Sequence, residues 1–171
     1  FMNEFPPYVQ DTGWREFEFF DPVTQSFPRI PAFLIFDEVG RRRFPMGNPA
    51  YNDRTMKFTW SRDNLKEVEL GILKTDDTIA GLAKKLGLDP AALEATMAHW
   101  NRMAAVKKDD DFGRPAGTIM KIQRPPFYAG EVWPVVSNTQ GGPVHDSKQR
   151  IIDVDDKPIA RLFAAGELGS S

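Results

Sequence analysis

The sequence contains no cysteine, which removes disulfides, cysteine-zinc sites, iron-sulfur ligation and thiol catalysis together and suits a reducing, cytoplasmic setting. Histidine is scarce as well: only His99 and His145 could supply an imidazole. No run approaches the roughly 20 apolar residues a membrane span requires, and Phe1-Met2-Asn3-Glu4 lacks the charged start of a signal peptide. Neither charge is in excess. The 22 basic and 24 acidic residues leave a net charge of -2, so nothing draws the chain to nucleic acid or anionic lipid. What is present is a 171-residue chain, 41% hydrophobic and 27% charged, able to bury one sizeable core and an extra lobe.

Prolines at 6, 7, 22, 28 and 31 among Phe17, Phe19, Phe20 and Phe27 exclude helix and long strand from the opening segment. That segment is expected to be an extended loop packed on something through Trp14, since its aromatics supply buried area at about 25 cal/mol per Å2. The first regular element is the apolar run Ala32-Phe33-Leu34-Ile35-Phe36-Asp37, read as a strand buried on both faces. Arg41-Arg42-Arg43 admits an anion-binding reading, but the simpler reading is a solvated edge. Ser61, before Asn64 and Leu65, looks like the N-cap of a short helix toward Glu69.

The middle of the chain is helical. Ile79, Leu82, Ala83 and Leu86 recur at three and four residues, lysines fill the last turn and Gly87 provides the stop. A second helix starts at Asp89 and Pro90 and carries Leu93, Met97, Trp100 and Ala104 on one stripe to about Val106, giving a helical hairpin. His99 lies beside the stripe as a surface or boundary residue, and Asn101 is placed to tie a neighbouring loop or to meet water. Lys107-Lys108-Asp109-Asp110-Asp111 reads as a solvated turn. Its aspartates lack the alternating ligands and closing glutamate of a calcium loop, so no metal is expected. Pro125-Pro126-Phe127-Tyr128-Ala129 opens a new extended segment and marks a change of architecture.

The last part carries the chemistry. Ser137, Asn138, Thr139 and Gln140 place four polar groups before Gly141-Gly142, where missing side chains let backbone approach a flat ligand; a glycine hairpin bonding its own turn fits the same pattern. A strand through Arg150-Ile151-Ile152-Asp153, a turn at Asp155-Asp156-Lys157 and an apolar strand follow. The chain closes on Leu162-Phe163-Ala164-Ala165-Gly166-Glu167, read as a buried strand whose glycine step aims Glu167 at a ligand or partner.

Phe1-Met2-Asn3-Glu4, Asp111-Phe112-Gly113-Arg114-Pro115, Pro126-Phe127-Tyr128-Ala129, Thr139-Gln140-Gly141-Gly142 and Leu162-Phe163-Ala164-Ala165-Gly166-Glu167, in this order, resemble the FAD-dependent flavoprotein family of soluble fumarate reductases, succinate dehydrogenase flavoprotein subunits and 3-ketosteroid dehydrogenases. The resemblance implies an α+β fold. Residues 1–133 would form a capping domain with a helical hairpin and a small sheet, closing over substrate, and residues 134–171 a β-hairpin and strand tail returning to an FAD-binding domain. It also implies that Asn138, Thr139, Gly141, Gly142 and Glu167 face the cofactor and Ser137 the substrate. The G-x-G-x-x-G turn between strand and helix that holds the FAD pyrophosphate has no match here. The chain is therefore expected to be a fragment, inactive and without FAD when isolated.

Two departures bear on the substrate. Where the reductases carry a proton-delivering arginine four residues after the FMNE glutamate, this chain has Tyr8, and where they carry a histidine pair it has Ser137 and Asn138. Dicarboxylate recognition wants cationic donors, so a simple dicarboxylate is disfavoured in favour of another small-molecule substrate. Tyr8 becomes the candidate proton donor or acceptor, as tyrosines are in the ketosteroid relatives; packing posed by Pro6-Pro7 is the alternative. An exposed apolar tail would favour self-association through the C-terminal strand. From another class, an independent binding or interaction module using the proline and aromatic opening is the competing reading.

Overall fold

In the computed structural model the described residues are 14–47, 49–52, 54–55, 57–134 and 141–169, without the side chains of Trp14, Arg15, Tyr51 and Glu167. The chain divides into two compact units, residues 1–133 and 134–171. Its class is α+β, a mixture of helices and small sheets.

The first unit is built on three antiparallel strands, β1 (Ala32–Asp37), β2 (Leu73–Asp76) and β3 (Phe127–Val132), in the order β1-β3-β2. The prolines at 125 and 126 do not start a separate architecture. They deliver the central strand of this sheet, with Ala129 opposite Ile35 on one side and Lys74 on the other. β1 is accordingly an edge strand, and Leu34 is half exposed rather than buried on both faces. One face of the sheet meets the helical hairpin of α4 (Ile79–Leu86) and α5 (Pro90–Val106), where Phe127, Ala129 and Ile35 pack with Leu82, Ile79, Leu86 and Ile122. Ala83, Leu93 and Met97 continue that core between the helices. On the opposite face Phe36 stacks on Tyr128 at 5.5 Å, and Gly130 leaves room for Met46 and Leu73; a Cβ there would lie 2.7 Å from Met46 Sδ.

Gly87 and Asp89 act as their sequence signals indicate, and Thr78 adds a further cap. The Thr78 hydroxyl accepts from Gly81 N at 2.9 Å, Gly87 closes α4 at φ +70°, and the Asp89 carboxylate accepts from Ala91 N at 3.0 Å ahead of Pro90. α5 also stitches down the strap that leads to β3. Trp100 Nε1 donates to Met120 O at 2.8 Å, and the Asn101 amide exchanges two 2.8 Å bonds with the Ile122 backbone.

Several local expectations change. One helical turn, α1 (Trp14–Phe17), forms in the proline-free stretch before Pro22, and Glu16 then pairs with Arg29. The Trp14 side chain lies outside the described ones. The arginine triplet belongs to α2 (Glu38–Arg43), with Arg41 buried rather than solvated. α3 (Leu65–Glu69) is preceded by Asn64 at φ +58°. Ser61 does not cap that helix; it donates through N and Oγ to the buried Glu67 carboxylate, which keeps its pKa lowered despite burial. Asp109 is buried too, because its carboxylate accepts from the amides of Asp111, Phe112 and Arg114 and so shapes the turn from inside.

The second unit contains the antiparallel pair β4 (Arg150–Ile152) and β5 (Pro158–Phe163), joined by a turn in which Asp153 accepts from Asp155 N and Lys157 N, both at 2.9 Å. Every residue of β5 is exposed, against the buried strand the sequence suggested. Two strands by themselves provide no second layer to cover an apolar face.

Candidate functional site

Two glycine segments of the second unit, Gly141-Gly142 and the turn over Gly166–Gly169, meet at a backbone junction. After β5 the chain passes through the buried Ala164, whose N–H donates to Gln149 O at 2.9 Å, into a 3-10 turn over Gly166–Gly169. Gly142 packs against that turn so closely that a Cβ would lie 1.9 Å from Leu168 O and 2.8 Å from Leu168 C. A Cβ on Gly169 would lie 2.7 Å from Gln149 Oε1. At Gly142 backbone meets backbone, and at Gly169 backbone meets the Gln149 side chain, both approaches that glycine permits. The junction has an open aspect as well. Gly141 at φ +103° and Gly166 at φ +65° adopt left-handed backbone, and a Cβ at either would meet nothing within 4 Å.

The structure therefore brings Gly141 and Gly142 together with the turn that contains Glu167, although the two motifs are separated by a hairpin in sequence. Nearby, Asp146 accepts from the amides of Lys148 and Arg150 and from Arg150 Nε at 2.7 Å; the Arg150 bond holds its carboxyl at about 2. Tyr8, Ser137, Asn138 and Thr139 lie outside the described residues, as does the Glu167 side chain.

In the first unit a polar cluster forms at the carboxyl end of β1. Asp37 is buried and accepts from Gly40 N at 2.9 Å and from Gln123 N and Arg124 N, both at 3.0 Å. Glu38 accepts from Arg41 Nε at 2.7 Å, Arg41 Nη2 at 2.6 Å, Arg42 Nε at 2.6 Å and Tyr128 Oη at 2.8 Å. The Arg41 bonds lower its carboxyl to about 2, and burial with the Glu38 bond raises the Tyr128 phenol. His99, which sequence spacing left without a carboxylate, meets Asp111 Oδ2 at 2.8 Å across the turn after α5. The twelve-residue separation hid that pair. Among the described residues no group of three or more His, Asp or Glu side chains could hold a metal ion, and no helix is long and apolar enough to cross a membrane.

Comparison with known proteins gives these motifs a family. The model of the FAD binding domain family matches residues 21–171. The 3-oxosteroid 1-dehydrogenase of Mycolicibacterium smegmatis is 29% identical over 185 residues, covering 99% of this chain and 31% of the relative. A fumarate reductase (cytochrome) of Shewanella frigidimarina is 35% identical over 103 residues, covering 60% of this chain and 18% of the relative. Among solved structures, the 3-ketosteroid delta1-dehydrogenase from Sterolibacterium denitrificans, in complex with 1,4-androstadiene-3,17-dione, superimposes with a TM-score of 0.56 at 29% identity, over 82% of this chain and 27% of that one. The chain thus spans less than a third of the length of these relatives.

FAD is the cofactor of the family. At the glycine junction, left-handed backbone at Gly141 and Gly166 leaves open space that side chains would occupy. The pyrophosphate finds no G-x-G-x-x-G counterpart in these 171 residues. With the match running over residues 21–171, the chain belongs to the FAD binding domain family, and its relatives include 3-oxosteroid dehydrogenases and fumarate reductases.

Proposed function

We propose that these residues are the capping unit, 1–133, and the return segment, 134–171, of an FAD-dependent oxidoreductase that moves a hydride between flavin and a carbon next to, or conjugated with, a carbonyl. The division of the chain at residue 133 supports this reading, and so does the match to enzymes named for oxosteroid dehydrogenation. The observation that carries it is the junction of Gly141 and Gly142 with the turn over Gly166–Gly169.

When bound, FAD accepts or supplies the hydride, and this chain positions, shields and handles protons. Open backbone at Gly141 and Gly166 admits the ring, and Gly142, packed on the Leu168 backbone, holds the junction that borders it; Asn138, Thr139 and Glu167 offer it polar contacts, and Ser137 faces substrate. Tyr8 exchanges a proton with the substrate carbon or carbonyl. A phenol titrates about three units above neutral, so it acts as a neutral donor unless its surroundings shift it. Without the arginine and the histidine pair, the substrate is a small apolar or carbonyl-bearing molecule and not a simple dicarboxylate.

The pyrophosphate cradle must then come from residues beyond these, and the isolated chain is inactive. After incubation with FAD and gel filtration it should emerge colourless. Joined in frame to its own coding region for the strand, G-x-G-x-x-G and helix, it should emerge yellow, and Tyr8→Phe should slow flavin reduction by substrate at least tenfold without loss of flavin. Stoichiometric flavin on the isolated chain, or a colourless longer protein, would contradict the reading.

A further inference from the structure

The geometry points to an anion-binding groove on the first unit, with Arg42 and Arg124 as its two arms, taking the carboxylate or phosphate group of a small molecule. Glu38, Val39, Arg42, Gln123, Arg124 and Pro125 line the groove. Its two walls are 82 residues apart in sequence but held as one frame: Glu38 N donates to Arg124 O at 3.1 Å, and the buried Asp37 carboxylate accepts from Gln123 N and Arg124 N.

The charges in the frame are unequally used. Among the described lining residues Glu38 is the only acidic one, and its oxygens already accept from Arg41, Arg42 and Tyr128. Asp37 beneath is buried and taken by backbone amides. Arg42 gives only its Nε to Glu38, so the bond fixes the side chain while both terminal amino groups stay available. Among the described residues the Arg124 guanidinium makes no hydrogen bond or ion pair. Two forked cations on a rigid frame are suited to the paired oxygens of carboxylate or phosphate. Val39 and Pro125 add apolar surface to the groove lining for the body carrying that group. This inference does not depend on the redox reading.

Calorimetric titration of the 171-residue chain at low ionic strength with inorganic phosphate, and separately with malonate, tests it. The expected result is saturable one-to-one binding of at least one anion, weakened tenfold or more by Arg124→Gln and changed less than twofold by Arg43→Gln, an exposed arginine of the same helix outside the groove. Among the described residues Arg124 has no side-chain partner to lose, so the variant should keep the circular dichroism spectrum of the parent. Binding of phosphate alone assigns the groove to phosphates, and binding of malonate alone to carboxylates. No saturable binding of either anion, binding indifferent to Arg124→Gln, or equal weakening by Arg43→Gln would overturn the proposal.

Discussion

Replacing Glu38 with glutamine should destabilise the first unit strongly at neutral pH and far less in acid. The side chain is 19% exposed and its partner Arg41 8%, so screening is weak, and the carboxylate accepts four charge-assisted or phenolic bonds. A shift from 4.5 to about 2, caused first by the Arg41 bond, corresponds at about 1.4 kcal/mol per unit to roughly 3 kcal/mol. Because the folded-state value is depressed, this contribution is present above about pH 4.5 and is lost as pH falls toward 2. More than half should be gone at pH 3. All four tryptophans, Trp14, Trp60, Trp100 and Trp133, belong to residues 1–133, so urea unfolding followed by tryptophan fluorescence reads this unit. The parent should exceed Glu38→Gln by about 3 kcal/mol at pH 7 and by about half that or less at pH 3. Asp76 and Asp146 also have lowered values, but both proteins retain them and their effect cancels in the difference. A gap that stays constant between the two pH values would refute the assignment of the shift to Glu38.

Other substitutions probe separate links. Asn101→Ala removes both bonds to Ile122 and should cost about 2 kcal/mol, with faster hydrogen exchange at the Ile122 amide; unchanged exchange would show that the strap is held by packing. Thr78→Ala removes the cap on Gly81 N and should cost about 1 kcal/mol in urea unfolding. Gly142→Ala drives a methyl into the Leu168 carbonyl and should displace amide resonances of residues 141–169 while leaving those of the helical hairpin in place.

Sequence was most informative where one local rule decided the outcome. Asp89 at the start and Pro90 in first position of α5, and Gly87 at the stop of α4, were legible because caps and φ preferences act within a few residues, while the Thr78 cap emerged only in the structure. The run at 32–37 was legible as a strand, but its place at the sheet edge was not, since that depends on β3 arriving from 95 residues later. Leu73-Lys74-Thr75-Asp76 has too short a pattern to announce β2. Arg41 looked solvated because nothing in a triplet of arginines shows that Glu38 and Tyr128 will enclose one of them. The glycine pair and the terminal Gly-Glu step were visible as motifs; their meeting needed the turn after β5.

The proposal that the glycine junction faces the flavin ring is tested most directly by amide spectra of the 15N-labelled chain recorded while FAD is added at millimolar concentration. Shifts concentrated at Gly141, Gly142, Gly166 and Glu167 are predicted, at concentrations too high to survive gel filtration. Shifts concentrated in residues 32–132, or none at any concentration, would contradict it.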